Sequence, residues 1–163
     1  MHIPYPVVDL AGLALGHALW NVCDFEEEDD LLCPLAFTFD GQREKLLRFE
    51  GESQEEAIER GFSTLSSNNS FVRWAFAREG IIRTADGPTD VLLIDAWGQG
   101  MEQSVVFAQP FLPAISGQFC LLGEPAVFVS GQPNSDRSLI SRLKSGVMSH
   151  QKAAELWTLW QGW

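Results

Sequence analysis

The chain has 163 residues and carries 22 acidic against 11 basic side chains, a formal net charge of −11. Its 45% hydrophobic and 20% charged content is that of a globular protein. This excludes intrinsic disorder as the main state, because disorder combines low hydrophobicity with high net charge. The negative charge argues against a nucleic-acid binder that works through basic patches. The length fits one domain, and we expect residues 1–163 to form it.

The N-terminal part lacks the features of a secretory signal. No lysine or arginine precedes Arg43, so the basic region of such a signal is missing. The apolar run 10–19 is too short to span a bilayer. Cys23, Cys33 and Cys120 are odd in number and irregularly spaced, which argues against a disulfide framework. We therefore expect a cytoplasmic protein with reduced thiols and no membrane segment.

The first half of the sequence indicates a helix, a hairpin and a second helix. Asp9 precedes an apolar helical face and is the predicted N-cap. Asp40-Gly41 is a turn dipeptide between two alternating runs. Ser53 and Glu56 have capping-box spacing. The predicted elements are a helix over residues 9–23, strands 35–39 and 44–49, and a helix that follows Ser53 and ends at Asn68.

From residue 70 onwards, the side chains that share a face recur with a period of two, which is typical of strands. Short turns between its strands favour an antiparallel meander over parallel crossovers. Residues 136–163 then form a C-terminal helical segment, with one helix over 136–144 and a last helix capped by Ser149. The prediction is an α+β fold, in which an antiparallel meander sheet of about five to seven strands is packed by an N-terminal helix, a middle helix and a C-terminal helix pair. The predicted strands are 71–78, 91–97, 104–109, 119–122 and 126–129.

The negative charge is concentrated at the front of the sequence. Residues 1–59 hold 14 acidic and 3 basic residues, whereas residues 60–163 hold 8 of each. An acidic run after the first helix is typical of a solvated loop. It also suits a docking surface for a basic partner. A divalent-cation site is the third reading, although an EF-hand needs alternating ligands and a glycine that this run lacks. The candidate partner-binding carboxylates are Asp24, Glu26, Glu27, Glu28, Asp29 and Asp30.

Three tryptophans recur every three residues at the C-terminus. Trp157 and Trp160 fit a stripe that packs on the sheet, and Trp163 points off that face. Since tryptophan is enriched at interface hot spots, all three are also candidate partner contacts. Residues 136–163 are mildly basic, so they could meet the acidic first third of a second copy in a homodimer.

Few motifs point to chemistry. Gly98-Gln99-Gly100 resembles the start of a dinucleotide fingerprint, but a strand rather than a helix follows, which indicates a hairpin turn. His17, Cys23 and Cys33 offer zinc-type ligands at a spacing that matches no common ligand pair. We therefore assign no catalytic residue, no cofactor and no metal ligand.

Asp95 interrupts an apolar strand, and a carboxylate there needs a partner. Arg73 or Arg78 on the neighbouring strand can supply a structural ion pair. The alternative is that Asp95 is the polar group of a ligand pocket. The other candidate residues of that pocket are Trp74, Phe76, Trp97 and Phe107.

Two functions follow from these patterns. The leading hypothesis is a non-catalytic protein-interaction module, such as an acidic inhibitor, an immunity-type protein or a regulatory protein acting on a basic partner. It involves neither nucleic acid nor membrane. The alternative is a small-ligand-binding protein or enzyme whose apolar pocket is enclosed by the sheet and the helices.

Overall fold

The computed structural model describes residues 2–163, which form four α-helices and one antiparallel sheet of eight strands. The helices are α1 (Tyr5–Val22), α2 (Gln54–Ser67), α3 (Arg137–Met148) and α4 (Gln151–Leu156). The strands are β1 (Leu35–Phe39), β2 (Glu44–Arg48), β3 (Arg73–Thr84), β4 (Gly87–Gly98), β5 (Val105–Leu112), β6 (Cys120–Leu121), β7 (Ala126–Val129) and β8 (Gln132–Asn134).

Seven strands follow one another across the sheet in the order β2-β1-β3-β4-β5-β7-β8, and β6 pairs with the end of β5. From β3 onwards, each strand of this order lies beside the next along the chain, which is the meander predicted above. β3 and β4 form the longest hairpin, whose register runs from Arg73 opposite Gly98 to Thr84 opposite Gly87. The predicted α+β fold is confirmed.

The two faces of the sheet are covered by different helices. On β3, Ala75 and Ala77 belong to the core that α1, α3 and α4 share with the sheet, and we call this side the α1 face. Trp74 and Phe76 point the other way and pack with Ile58 and other side chains of α2, and we call this side the α2 face. The alternation follows from the period of two along a strand.

The first helix begins earlier than predicted. Its N-cap is Pro4 rather than Asp9, and Pro6 lies in its first turn, where a missing backbone N–H costs no hydrogen bond. Asp9 is therefore inside the helix, where its carboxylate accepts hydrogen bonds from Arg142 of α3. The predicted N-cap was wrong because a polar capping side chain was taken as the start of the helix. The fixed φ of proline, which suits the first turn of a helix, was not considered.

The C-terminal helices also differ from their predicted bounds. Asp136 caps α3 by accepting a hydrogen bond from Ser138 N, but α3 continues to Met148 and has Ser149 as its C-cap. The N-cap of α4 is His150, whose Nδ1 accepts from Ala153 N at 3.1 Å. The predicted cap was thus one residue too early, since imidazole is not a usual capping group.

Helix α1 crosses α3 at two facing glycines. A Cβ added to Gly12 would lie 2.2 Å from Leu143 O, and one added to Gly146 would lie 2.3 Å from Asp9 O. The two backbones therefore approach more closely than any side chain would permit. This close contact sets the position of α3 on α1.

Candidate partner-binding site

Residues 23–34, which we call the acidic loop, connect α1 to β1, and hydrogen bonds to the loop's own carboxylates shape it. Asp30 Oδ2 accepts a hydrogen bond from Glu27 N at 3.1 Å, and Asp30 N donates to Glu27 O at 3.1 Å. These bonds close a turn over residues 27–30. All six candidate carboxylates are exposed, and none forms a salt bridge with any residue in the range 2–163.

Two further carboxylates come from the sheet. Glu79 lies opposite Leu92 and Asp90 lies opposite Ile81, so that the two acids are diagonal neighbours on the α1 face. Glu79 Oε1 accepts a hydrogen bond from Leu32 N at 2.8 Å, which ties the end of the acidic loop to β3. The acidic loop and the two sheet carboxylates therefore meet at one end of the molecule.

The environment of these two acids favours their neutral form. Burial raises the pKa of the Glu79 carboxyl, the hydrogen bond from Leu32 N opposes the rise, and the charge of Asp90 adds to it. Burial also raises the pKa of Asp90. A cation placed between the two carboxylates would relieve their repulsion and replace part of their lost hydration.

A cavity of about 270 Å³ opens between the loop and the sheet. Five carboxylates line it, together with aliphatic side chains that are unusually exposed: Leu31 is 51% exposed, Ile81 70% and Ile115 49%. Among the described lining residues there is no lysine and no arginine. The five acids are Glu27, Glu28, Asp30, Glu79 and Asp90.

This combination suits a long basic side chain. Lysine and arginine can lay their methylene stems on an apolar surface while the charged head reaches a carboxylate. Leu31, Ile81 and Ile115 offer the apolar surface, and the acids offer the counter-charges. We refer below to this cavity and its lining as the acidic pocket.

The structure divides the predicted carboxylates into two groups. Glu27, Glu28 and Asp30 line the acidic pocket, whereas Asp24, Glu26 and Asp29 do not. Sequence reasoning missed Glu79 and Asp90. The signal for them was a charged side chain in each of two long strands, but the register that brings them together is a long-range property.

The three C-terminal tryptophans do not form an exposed contact surface. Trp157 is 8% exposed and Trp160 is 2% exposed, and both belong to the core on the α1 face. Trp163 packs edge-on against Trp157, and its Nε1 donates to Gln109 Oε1 at 2.6 Å. Trp157 and Trp160 thus pack on the sheet, as the stripe in the sequence indicated, and the contact of these tryptophans with a partner stays a prediction.

The predicted apolar pocket is split between the two faces of the sheet. Trp74, Phe76, Asp95 and Trp97 are on the α2 face, whereas Phe107 lies in the core on the α1 face. Phe76 is fully buried beneath α2, and Trp74 and Trp97 line a surface cleft. The five residues therefore do not enclose one common pocket.

Asp95 has the structural partner that was predicted for it. It is 6% exposed and accepts a hydrogen bond from Arg78 Nη1, within an ion pair between neighbouring strands. Arg78 also stacks over the Phe62 ring, 5.0 Å from its centroid. Arg73, the other candidate partner, lies over Phe39 instead.

The candidate zinc ligands have separate surroundings. His17 Nδ1 lies 3.0 Å from His150 Nε2, Cys23 Sγ donates to Trp20 O, and Cys33 Sγ donates to Phe49 O. Within residues 2–163, no group of three or more His, Cys, Asp or Glu side chains is arranged to hold a metal ion.

None of the helices described in residues 2–163 combines the length and the apolar character needed to cross a membrane. No family model, curated protein or solved structure matches the chain.

Proposed function

We propose that this protein binds a basic partner protein, and that a lysine or arginine side chain of the partner enters the acidic pocket. The observation that carries the proposal is the gathering of five carboxylates and three exposed aliphatic side chains around one cavity. Exposed aliphatic groups mark binding surfaces when they cluster. The surrounding charge would attract the basic partner and set its orientation.

A different protein fits this pocket better than a second copy of the chain. In the mildly basic C-terminal segment, Arg137 pairs with Glu124, Arg142 pairs with Asp9, and Lys152 pairs with Glu155. Three of the four cations of this segment are therefore engaged within one molecule, and the fourth, Lys144, is exposed. Two copies of charge −11 also repel each other. An acidic inhibitor, an immunity-type protein or a regulatory subunit is the kind of protein that would act through this surface. Three free cysteines are in keeping with action in the cytoplasm.

The test is titration with a short capped peptide of alternating leucine and arginine, beside a peptide in which glutamine replaces arginine. We expect the arginine peptide to bind and its affinity to fall as salt is raised, because surface charges are screened at high ionic strength. The glutamine peptide should not bind. Sedimentation of the protein alone shows whether a homodimer forms, and a dimer held by the acidic pocket would contradict the choice of partner.

Two matched triple variants locate the contact. Each removes three negative charges, one set at the acidic pocket and the other on exposed positions elsewhere. We expect at least about a tenfold loss of affinity for the first set and little change for the second, since only short-range pairs survive screening. Equal losses in both variants would mean that net charge, and not the pocket, causes binding. The pocket set is Glu27→Gln, Glu28→Gln and Asp30→Asn, and the control set is Glu44→Gln, Glu55→Gln and Glu59→Gln.

A further inference from the structure

A second cavity lies on the α2 face, at the other end of the β3–β4 hairpin from the acidic pocket. It has a volume of about 570 Å³, within the range of about 300–1,000 Å³ that small-molecule sites occupy. The end of α2, the loop at residues 68–71 and the β4–β5 connection at residues 99–104 form its walls. We call it the aromatic cleft.

Its floor is a pair of tryptophans. Trp74 and Trp97 are directly opposite each other in the β3–β4 register, with ring centroids 6.2 Å apart and planes inclined by 25°. Trp97 Nε1 donates to Met101 O at 2.8 Å, which holds the indole in place. Phe62 and Phe71 are partly exposed and extend the aromatic lining on the helix side. The base of the cleft is thus apolar. Trp74 is 8% exposed, so the partly exposed Trp97 indole offers most of the aromatic surface that a ligand can reach.

Its rim is polar but almost uncharged. The side-chain amides of Asn69, Gln99 and Gln103 are exposed and make no hydrogen bond with other residues of the described chain. Asn68 Oδ1 accepts from Ser70 N at 2.9 Å, which leaves its NH₂ group to act as a donor. Side-chain amides both donate and accept hydrogen bonds. Free groups of this kind match a ligand whose own polar groups also donate and accept.

The charge of the cleft restricts the ligand further. Of its described lining residues, Glu102 alone carries a charge, and it is negative. A phosphate or a carboxylate would find no cation there. An ammonium group only donates, so it would use Glu102 and the amide oxygen atoms, and the NH₂ groups of the rim would make no contact with it.

We propose that the aromatic cleft binds a neutral, polyhydroxylated ring, such as a single sugar unit or the end of a glycan. One face of such a ring presents C–H groups that pack on aromatic surface, and its edge carries hydroxyls that donate and accept. The tryptophan floor and the amide rim supply both kinds of contact. The proposal does not depend on the acidic pocket.

The test is saturation-transfer NMR of the full chain with the methyl glycosides of glucose, galactose, mannose and N-acetylglucosamine. Adenosine and choline serve as a flat aromatic and a cationic comparison. We expect at least one glycoside to receive saturation on its ring C–H protons. Saturation transfer to adenosine or choline, with none to any glycoside, would overturn the assignment. The absence of saturation transfer to all six compounds would overturn it as well.

Three variants locate the site. Gln103→Ala changes an exposed side chain, and we expect it to weaken the glycoside about tenfold by removing hydrogen bonds. Trp97→Phe keeps an aromatic ring but loses the bond to Met101, and it should weaken binding as well. Trp20→Phe alters a tryptophan that does not line the cleft and should bind as the unmodified protein does. Unchanged affinity in Gln103→Ala and Trp97→Phe would place the ligand elsewhere and contradict the proposal.

Discussion

His17 Nδ1 and His150 Nε2 lie 3.0 Å apart and share one hydrogen bond between α1 and the start of α4. Because His150 Nδ1 accepts from Ala153 N, its proton is on Nε2, which donates to His17. His17 therefore carries its own proton on Nε2, and this atom is buried without a partner in the described chain. Neither ring can take up a further proton without losing a hydrogen bond.

The first prediction is a loss of stability in mild acid. Burial, followed by the charges of His150 and Arg48, lowers the pKa of His17 to about 4 from 6.5. Since the pKa is lower in the folded than in the unfolded chain, the stabilisation is complete above pH 6.5 and is lost as the pH falls towards 4. We expect His17 to account for a decrease of about 2 kcal/mol in the free energy of unfolding between pH 7.5 and pH 5, measured by urea denaturation.

The control for this prediction is His17→Phe, which keeps a ring but does not titrate. The substitution can change the free energy of unfolding at every pH by the same amount. This does not affect the test, because the two proteins are compared by how their free energy of unfolding changes with pH. The variant should lose less stability than the unmodified protein over the same interval, because it lacks the titration of His17. The contributions of Glu79, Asp90 and His150 are present in both proteins and do not affect the comparison. Parallel pH profiles for the two proteins would show that His17 is not the group responsible.

The second prediction concerns the helix crossing. Gly12→Ala ought to favour an isolated helix by about 1 kcal/mol. Its Cβ would, however, lie 2.2 Å from Leu143 O, a backbone atom that cannot move away alone. We expect a net loss of about 3 kcal/mol of unfolding free energy in urea. Gly16→Ala, whose Cβ would meet its nearest neighbour at 3.2 Å, should cost clearly less. A Gly12→Ala protein as stable as the parent would disprove the close crossing.

The third prediction tests whether the C-terminal tryptophans belong to the core. Trp163→Phe keeps an aromatic ring but removes the donor to Gln109 Oε1, and Gln109 is 1% exposed. An unpaired buried acceptor costs about 1–3 kcal/mol, so thermal or urea unfolding should show a loss in this range. Leu159→Ala, at a side chain that is 57% exposed, should stay within about 0.5 kcal/mol of the parent. Equal effects would argue that Trp163 is a surface residue.

Local signals predicted much of the fold. The Asp40-Gly41 turn is present, with Asp40 Oδ1 accepting from the backbone N–H of Gln42 and Arg43. Ser53 Oγ accepts from Glu56 N at the start of α2, as the capping box predicts. Both motifs act within a few residues, so their chemistry can be read directly from the sequence.

Features that depend on distant residues were predicted less well. The extension of β3 beyond residue 78 has partly exposed and exposed side chains that alternate only weakly, and β8 contains Pro133 at the edge of the sheet. Gln109 is buried because Trp163 and two carbonyl groups satisfy its amide, a pairing over 54 positions in the sequence for Trp163. The acidic loop was identified, but its pocket needed Glu79 and Asp90, which only the strand register brings to it.

The most direct test of the acidic pocket measures protons during binding. Burial raises the pKa values of Glu79 and Asp90, so these carboxyl groups bind protons more readily than exposed carboxyl groups do as the pH is lowered. An arginine that enters between them would favour the ionised form and release protons.

The measurement is calorimetric titration with the leucine–arginine peptide in two buffers of different ionisation enthalpy. We predict that the unmodified protein gives buffer-dependent heats and that the Glu79→Gln/Asp90→Asn double variant does not. Heats that are independent of buffer in the unmodified protein, or proton release that persists in the double variant, would contradict the account.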